Sequence, residues 1–291
     1  MIWSLSRPVK PLFQGFFWMS GAVLSFIAMG IGGRELSDNL STFQILTFRG
    51  LIALIITIMF IVHAGWFVIK TQNLSRHFFR SVFNFGGQFG WFLGISLLPL
   101  STVFALEYTT LVWTAILAVI FLSERVHHAR VLAIVSGIAG VLLILRPGLR
   151  IIDPASLIVI GAGFCYAVAY ILTKSMAQTE HPLAILFYMN LIQLPVAFLM
   201  ASFVWVVPSM LDIHWIIIVG LGGFSSHYCL TRAFQVADTL TVIPIDFMRL
   251  PIIAIIGYVF YNEPFEIIIL IGALIIFIGT YYNMYYESVQ N

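Results

Sequence analysis

Two apolar stretches that lie 139 residues apart decide the fold: residues 101–124, STVFALEYTTLVWTAILAVIFLSE, and residues 240–263, LTVIPIDFMRLPIIAIIGYVFYNE. Each is long enough to cross about 30 Å of hydrocarbon as a helix. Each carries one acidic residue at the same place within its apolar run, Glu107 in the first and Asp246 in the second, and each ends in a glutamate. The two stretches therefore predict a corresponding pair of transmembrane helices.

The composition places the whole chain in a membrane. Of its 291 residues, 61% are hydrophobic and only 9% are charged, against about 25% charged in an average soluble domain. The net charge of +2 comes without a basic cluster, so no nucleic-acid partner is expected. The two cysteines, Cys165 and Cys229, lie inside apolar runs, which argues against a disulfide framework or a metal site. The lipid bilayer is therefore the expected solvent of this chain.

Ten transmembrane helices are predicted from the apolar runs between polar breaks. The predicted spans are residues 14–33, 43–63, 78–97, 101–121, 129–146, 155–173, 183–206, 214–236, 239–260 and 266–284. Nine basic residues then lie on the side of the N-terminus and three on the other side, which predicts cytoplasmic N- and C-termini in a bacterial inner membrane. The nine are Arg7, Lys10, Lys70, Arg76, Arg80, Arg125, Arg130, Lys174 and Arg232, and the three are Arg34, Arg146 and Arg150.

An internal repeat divides the chain into residues 1–146 and residues 147–291. A shift of 139 residues superimposes the span boundaries and places Glu107 on Asp246 and Gly140 on Gly279. Each repeat holds five spans, an odd number, so the second repeat is expected to be inverted in the bilayer relative to the first. Inverted repeats are typical of carriers that expose a midplane site to either side by alternating access.

Among the charged residues inside the predicted spans, four stand out: Arg49, Glu107, Asp246 and Arg249. Because charge in hydrocarbon is costly, such groups usually pair or face a cavity. Arg49 and Glu107 are predicted at similar depth, so an ion pair between them could gate the outer half of a pathway. Asp246 and Arg249, one helical turn apart, are expected in the inner half of the pathway and near its middle. A permanent structural ion pair without a transport role is the alternative interpretation.

Further polar and aromatic residues follow the same helices and are candidates for contact with a solute. His227 corresponds to Gln88 in the repeat and could carry a proton, since the unperturbed pKa of histidine is near 6.5, or it could be a hydrogen-bonded packing residue. The predicted substrate-binding residues are Trp91, Glu107, Tyr188, His227, Asp246 and Arg249. Lesser candidates are Asn84, Gln88, Tyr166, Tyr170 and Asn190.

Three segments resemble the drug/metabolite transporter superfamily, and specifically its EamA-type members with ten helices. They are TFRGLIAL at residues 47–54, the run from PLSTVFALEYTTLVW to LLILRPG at residues 99–148, and the run from VADTLTVIPIDFMRL to FIGTYY at residues 236–282. The resemblance implies a central cavity lined by spans one to four and six to nine, and cargoes such as amino acids, other metabolites, nucleotide sugars or quaternary amines. The second repeat also resembles S-adenosylmethionine uptake members of the superfamily, and the chain resembles its amino-acid exporters as well.

The sequence therefore predicts a secondary transporter of a small organic metabolite. With both signs of charge in the spans, an amino acid or a related zwitterionic or amine compound fits best: carboxylates would hold the amine and arginines the carboxylate. No catalytic residue, cofactor or metal is expected, protons are a candidate coupling ion, and the protein would be a monomer or a homodimer. A channel, a membrane scaffold and, as a more distant alternative, a membrane enzyme are the competing interpretations.

Overall fold

The computed structural model describes residues 11–122, 128–146, 153–176, 179–236 and 245–290, and none of these residues lies in a strand. The α-helices are α1 Pro11–Ser37, α2 Thr42–Ala64, α3 Leu74–Leu97, α4 Leu100–Glu107, α5 Thr109–Leu122, α6 His128–Leu145, α7 Pro154–Met176, α8 Pro182–Ser202, α9 Met210–Val236, α10 Arg249–Tyr261 and α11 Ile267–Gln290, with a short 3₁₀ helix at Trp66–Ile69. The predicted features at Arg7, Lys10, Glu124, Arg125 and Arg150 lie outside the described residues.

Seven of the described helices are long and apolar enough to cross a membrane: α1, α2, α6, α7, α8, α9 and α11. The third predicted span, α3, is less apolar because one of its faces is polar and buried, with His77, Arg80, Asn84 and Gln88 pointing inward. The other helices, α4, α5 and α10, are individually short. The chain is thus an all-helical, multi-pass membrane protein, and many of its large apolar side chains are exposed on the outer surface, where lipid would contact them.

The two stretches at residues 101–124 and 240–263 are interrupted rather than continuous helices. In the first, α4 ends at Glu107, a turn occupies Tyr108, and α5 begins at Thr109. In the second, a turn at Met248 separates the helical residues 245–247 from α10. These turns interrupt the predicted spans 101–121 and 239–260, and the sequence predicts a kink in the second, because Pro244 and Pro251 flank Asp246 and Arg249. In both stretches an acidic residue lies within two residues of the turn.

Helices of the N-terminal half pack in pairs against helices of the C-terminal half: α1 on α9, α3 on α7, α2 on α8 and α6 on α11. The α6–α11 contact brings two helix backbones close together. A methyl group built on Gly140 would lie 2.5 Å from the carbonyl oxygen of Gly272, and one built on Gly272 would lie 2.8 Å from the carbonyl oxygen of Gly140. Small residues at these positions let the helices touch, which is how helices associate in lipid.

Candidate functional site

Three charged side chains meet beside the two helix breaks. The Arg249 guanidinium, at the start of α10, lies 3.2 Å from a Glu107 carboxylate oxygen and 3.3 Å from a carboxylate oxygen of Asp246. The other Glu107 oxygen accepts a 2.9 Å hydrogen bond from the indole N–H of Trp91 on α3. The Arg249 side chain is 6% exposed and that of Glu107 11%. We call Trp91, Glu107, Asp246 and Arg249 the charge cluster.

Aromatic rings enclose this guanidinium. The ring centroids of Phe26, Tyr108 and Phe104 lie 4.9, 5.4 and 5.6 Å from its central carbon, within cation–π range. The Tyr108 hydroxyl donates a 3.0 Å hydrogen bond to the backbone carbonyl of Asp246, which ties the two helix breaks together. The cluster therefore combines two carboxylates and one guanidinium in an aromatic, largely water-free surrounding, where electrostatic interactions are strong.

The predicted ion pair between Arg49 and Glu107 is not formed, and Glu107 pairs with Arg249 instead. Arg49 is 1% exposed on α2, packs over Gly223 of α9, and donates a 2.7 Å hydrogen bond to the side-chain oxygen of Gln88. The reason is helix packing: α2 lies against α8 and α9, which directs Arg49 to the polar face of α3 rather than to α4. Similar depth alone did not bring the two charges together.

A polar network surrounds Arg49. The Gln88 amide donates to the side-chain oxygen of Asn84, 2.5 Å away, and the Gln193 amide donates to the same oxygen at 3.1 Å and to the Ser81 carbonyl at 2.9 Å. The Nε and one terminal nitrogen of Arg49 have no hydrogen-bond partner among the described residues. Arg49 therefore has free hydrogen-bond donors, and no carboxylate lies within ion-pair distance of it in the described part of the chain.

The remaining predicted residues divide between the charge cluster and other places. The His227 ring lies 6.0 Å from that of Phe26, the ring that also faces Arg249. Tyr166 and Tyr170 are stacked at 6.4 Å, within electrostatic range of Glu107 and Arg249.

Two predicted residues lie away from the cluster. Tyr188 donates a 3.0 Å hydrogen bond to the Ile69 carbonyl at one end of the bundle. The Asn190 amide donates to the Leu186 carbonyl of its own helix.

Four residues that belong with these groups were not singled out as site residues from the sequence. Phe26, Phe104 and Tyr108 carry no pattern that distinguishes them from packing aromatics, although Tyr108 directly follows Glu107. Arg80, predicted as an interfacial basic residue, is instead buried on the polar face of α3. The helical spacing of Arg80, Asn84 and Gln88 could have shown that they share a face.

A second set of contacts closes one end of the bundle, the end predicted to face outward. Glu263 lies 3.4 Å from Arg34 and accepts a 2.8 Å hydrogen bond from the backbone N–H of Leu100 at the start of α4. The chain folds back to reach it through Asn262, whose left-handed φ of 50° ends α10. Arg34 also donates to the carbonyl of Leu98 at 3.2 Å. We call Arg34, Glu263 and their backbone partners the Glu263 clasp.

The opposite end of the bundle holds a cavity of about 880 Å³, lined by Trp66, Ile69, Lys70, Thr71, Gln72, Asn73, Thr179, Glu180 and Tyr188. It lies away from the charge cluster. Although burial alone would raise the pKa of Glu180, its hydrogen bonds from Thr71 at 2.6 Å and Asn73 at 3.0 Å, together with His77 at 3.6 Å, hold that pKa below its usual value. We call this end the Glu180 face.

Known proteins match almost the whole chain. The sequence profile of the EamA-like transporter family matches residues 13–146 and 153–285. An S-adenosylmethionine uptake transporter of Rickettsia bellii is 27% identical over 98% of both chains, and a riboflavin transporter of Brucella anthropi is 28% identical over 81% of this chain and 86% of its own. One crystal structure aligns with a TM-score of 0.62 and 15% identity over 94% of both chains, which bears on the fold alone.

The predicted resemblance and the prediction that the chain is not an enzyme are confirmed, because the matched family and the relatives named above are transporters. The chain belongs to the EamA-like transporter family of multi-pass membrane proteins and transports a small molecule.

Proposed function

We propose that this EamA transporter is a secondary carrier of a zwitterionic metabolite, an amino acid or a related compound, and that S-adenosylmethionine is the first candidate. One observation carries the proposal: two carboxylates share one guanidinium in the charge cluster, while Arg49 is buried without a carboxylate partner among the described residues. A surplus carboxylate and an unpaired guanidinium are thus both available to bind a solute inside the membrane.

The chemistry of the charge cluster suits the cationic end of such a solute. With Glu107 and Asp246 ionised and Arg249 protonated, the cluster holds one excess negative charge, which an ammonium or sulfonium group would neutralise. The rings of Phe26, Phe104 and Trp91 add a surface that favours cations and stacks on a flat heterocycle. Arg49 would receive the carboxylate through a charge-assisted hydrogen bond, and guanidinium groups match carboxylate geometry well.

S-adenosylmethionine carries a sulfonium, an ammonium, a carboxylate and a purine, so it engages all of these groups. The relative from Rickettsia bellii is named for its uptake. Riboflavin, for which the Brucella anthropi relative is named, has neither an ammonium nor a carboxylate group and would leave the charges unused. The electrostatics of this chain therefore favour the first cargo over the second.

For the architecture we propose ten spans in two inverted repeats, residues 1–146 and 147–291, with α4 and α5 forming the fourth span. Reciprocal contacts support this arrangement. Gly140 packs on Gly272, and the position that corresponds to Gly140 in the second repeat, Gly279, packs on Ala133, the position that corresponds to Gly272. Helix α1 packs on α9 as α7 packs on α3. Such reciprocity is typical of a two-fold pseudo-symmetric assembly.

Alternating access follows from that arrangement. The Glu263 clasp joins α1, the α3–α4 connection and the end of α10, so the solute can leave on that side only when the clasp opens. A carrier would open the clasp and the Glu180 face in turn, with the charge cluster between them. A channel, which is the competing function, would conduct without exchange of bound solute.

Counterflow in proteoliposomes tests the proposal. Vesicles are loaded with unlabelled S-adenosylmethionine, amino acids or riboflavin, and accumulation of labelled solute is compared for the wild type, Asp246→Asn and Asp38→Asn. Asp38 is exposed at a turn between helices and serves as the matched control. We expect S-adenosylmethionine to exchange, with a loss of at least tenfold in Asp246→Asn and none in Asp38→Asn. Exchange of riboflavin alone, unaffected by Asp246→Asn, would refute the zwitterion assignment.

A further inference from the structure

We propose that Arg80 forms a second anion-binding position, which holds the carboxylate of the solute between Arg49 and the Glu180 face. This inference rests on the proposed function, because it assumes a zwitterionic cargo. It assigns a role to a buried cation that the charge cluster does not use, and it makes passage through the carrier a transfer between two guanidinium groups.

The surroundings of Arg80 leave its charge uncompensated. The residue is 5% exposed on α3. Its Nε donates a 2.6 Å hydrogen bond to the Thr173 hydroxyl of α7, one terminal nitrogen lies 4.0 Å from the Met189 sulfur, and the other has no partner among the described residues. No carboxylate lies within ion-pair distance of Arg80 in the described part of the chain. Burial of an unpaired guanidinium is costly, so a binding role offers a reason to keep it.

Neighbouring groups are also short of acceptors. The buried Ser81 hydroxyl has no partner among the described residues. The side-chain oxygen of Asn84, one turn further along α3, already accepts from both Gln88 and Gln193. The Asn190 side-chain oxygen on α8 is also without a partner among the described residues, but the free groups on Arg49, Arg80 and Ser81 are donors. A carboxylate, which only accepts hydrogen bonds when ionised, is the ligand that this balance fits.

The spacing along α3 makes the two positions successive rather than shared. Arg80 and Gln88, the partner of Arg49, are eight residues apart on the same face, which corresponds to about 12 Å along the helix axis. This backbone spacing favours a carboxylate that contacts the two guanidinium groups in turn. The polar face continues from Arg80 to His77, whose ring centroid lies 4.7 Å from that of Tyr188 at the cavity of the Glu180 face. Arg80 thus lies on the route between Arg49 and that cavity.

A purely interfacial role, in which Arg80 only marks the cytoplasmic side, is the competing explanation. Long basic side chains near helix ends usually extend to the interface and keep their charge in water. Arg76, one turn earlier on α3, is exposed and does so. Arg80 instead points inward and contacts α7 and α8 through Thr173 and Met189. Arg76 is therefore the matched control.

The experiment uses the full-length carrier in vesicles of both orientations, with S-adenosylmethionine and its decarboxylated analogue as labelled solutes. The KM is measured from each face for the wild type, Arg80→Gln, Arg80→Lys and Arg76→Gln, and the melting temperature of each variant is recorded. We expect Arg80→Gln to raise the KM for the carboxylate-bearing solute from the Glu180 face about tenfold, with little change for the analogue. Arg80→Lys should recover part of the loss, and Arg76→Gln should match the wild type.

The melting temperature separates binding from structure. Because removal of an unpaired buried charge relieves its desolvation, Arg80→Gln should melt no lower than the wild type. An unchanged KM, an equal rise for both solutes, or a lower melting temperature without recovery in Arg80→Lys would overturn the role of Arg80 while the proposed function stands. A wild type that exchanges no zwitterion would overturn both.

Discussion

The charge cluster makes a quantitative prediction about how its acids share one guanidinium. Asp246→Asn leaves Arg249 paired with Glu107 at 3.2 Å, and Glu107→Gln leaves it paired with Asp246 at 3.3 Å. Each single change weakens one charge-assisted hydrogen bond, so we expect each to lower the free energy of unfolding by about 1–2 kcal/mol. The double variant leaves a buried guanidinium with no counter-charge in the cluster, which costs about 3–5 kcal/mol.

The excess of the double variant over the sum of the singles should therefore be about 1 kcal/mol, within the range expected for groups in direct contact. Equilibrium unfolding in mixed micelles, followed by far-UV circular dichroism, measures all four proteins at the same pH and salt. A third substitution, Arg249→Met, should restore most of the lost stability, because apolar replacement of a whole buried ion pair is often neutral. Additive losses and no recovery with Arg249→Met would refute this account of the cluster.

Three further predictions concern other parts of the molecule. Glu263→Gln should weaken the Glu263 clasp by about 1–2 kcal/mol and raise the population of the state open at the clasp about 5–30-fold. A Leu100→Cys reporter, in a protein with both native cysteines replaced, should then be labelled faster by a thiol reagent. An unchanged labelling rate would contradict this prediction. Gly140→Val should cost about 1–3 kcal/mol by overpacking, whereas Gly161→Val, where nothing lies within 4 Å of the added carbon, should melt like the wild type. Because the folded pKa of Glu180 is held below its usual 4.5, its stabilisation is present at neutral pH and lost as the pH falls below about 4.5. Glu180→Gln should remove the resulting fall in melting temperature between pH 7 and pH 4, and equal pH dependence in both proteins would contradict this.

The sequence predicted the membrane class and the family because both depend on patterns that survive without three-dimensional information. The sequence itself shows long apolar runs, few charged residues and an internal repeat with an offset of 139 residues. The break at Tyr108 cannot be read from the sequence, since Tyr108 is neither a glycine nor a proline and the hydropathy does not change there, whereas Pro244 and Pro251 predict a kink in the ninth span. Pro251 lies in the first turn of α10, where the missing N–H has no helical partner to lose.

The partner of Glu107 was predicted wrongly because sequence gives the depth of a residue but not the rotation of its helix. Arg49 and Arg249 both reach the middle of the membrane, and only the packing of α2 against α8 and α9 decides between them. For the same reason the sequence did not show that Arg80 is buried, because its place near a helix end is typical of an interfacial residue. Asp246 and Arg249 are only three residues apart, a separation that fixes their relative rotation locally, and the structure places their charged groups 3.3 Å from each other.

The contact between α6 and α11 has a use in any study of the motion of this protein. Because neither Gly140 nor Gly272 leaves room for a methyl group, the two helices have almost no freedom to slide or roll against each other. They therefore offer a fixed reference frame within a protein whose other helices are expected to move. Spin labels on the lipid-facing sides of α6 and α11 should keep a narrow mutual distance, while distances from them to α4 or α10 should broaden as the solute is added.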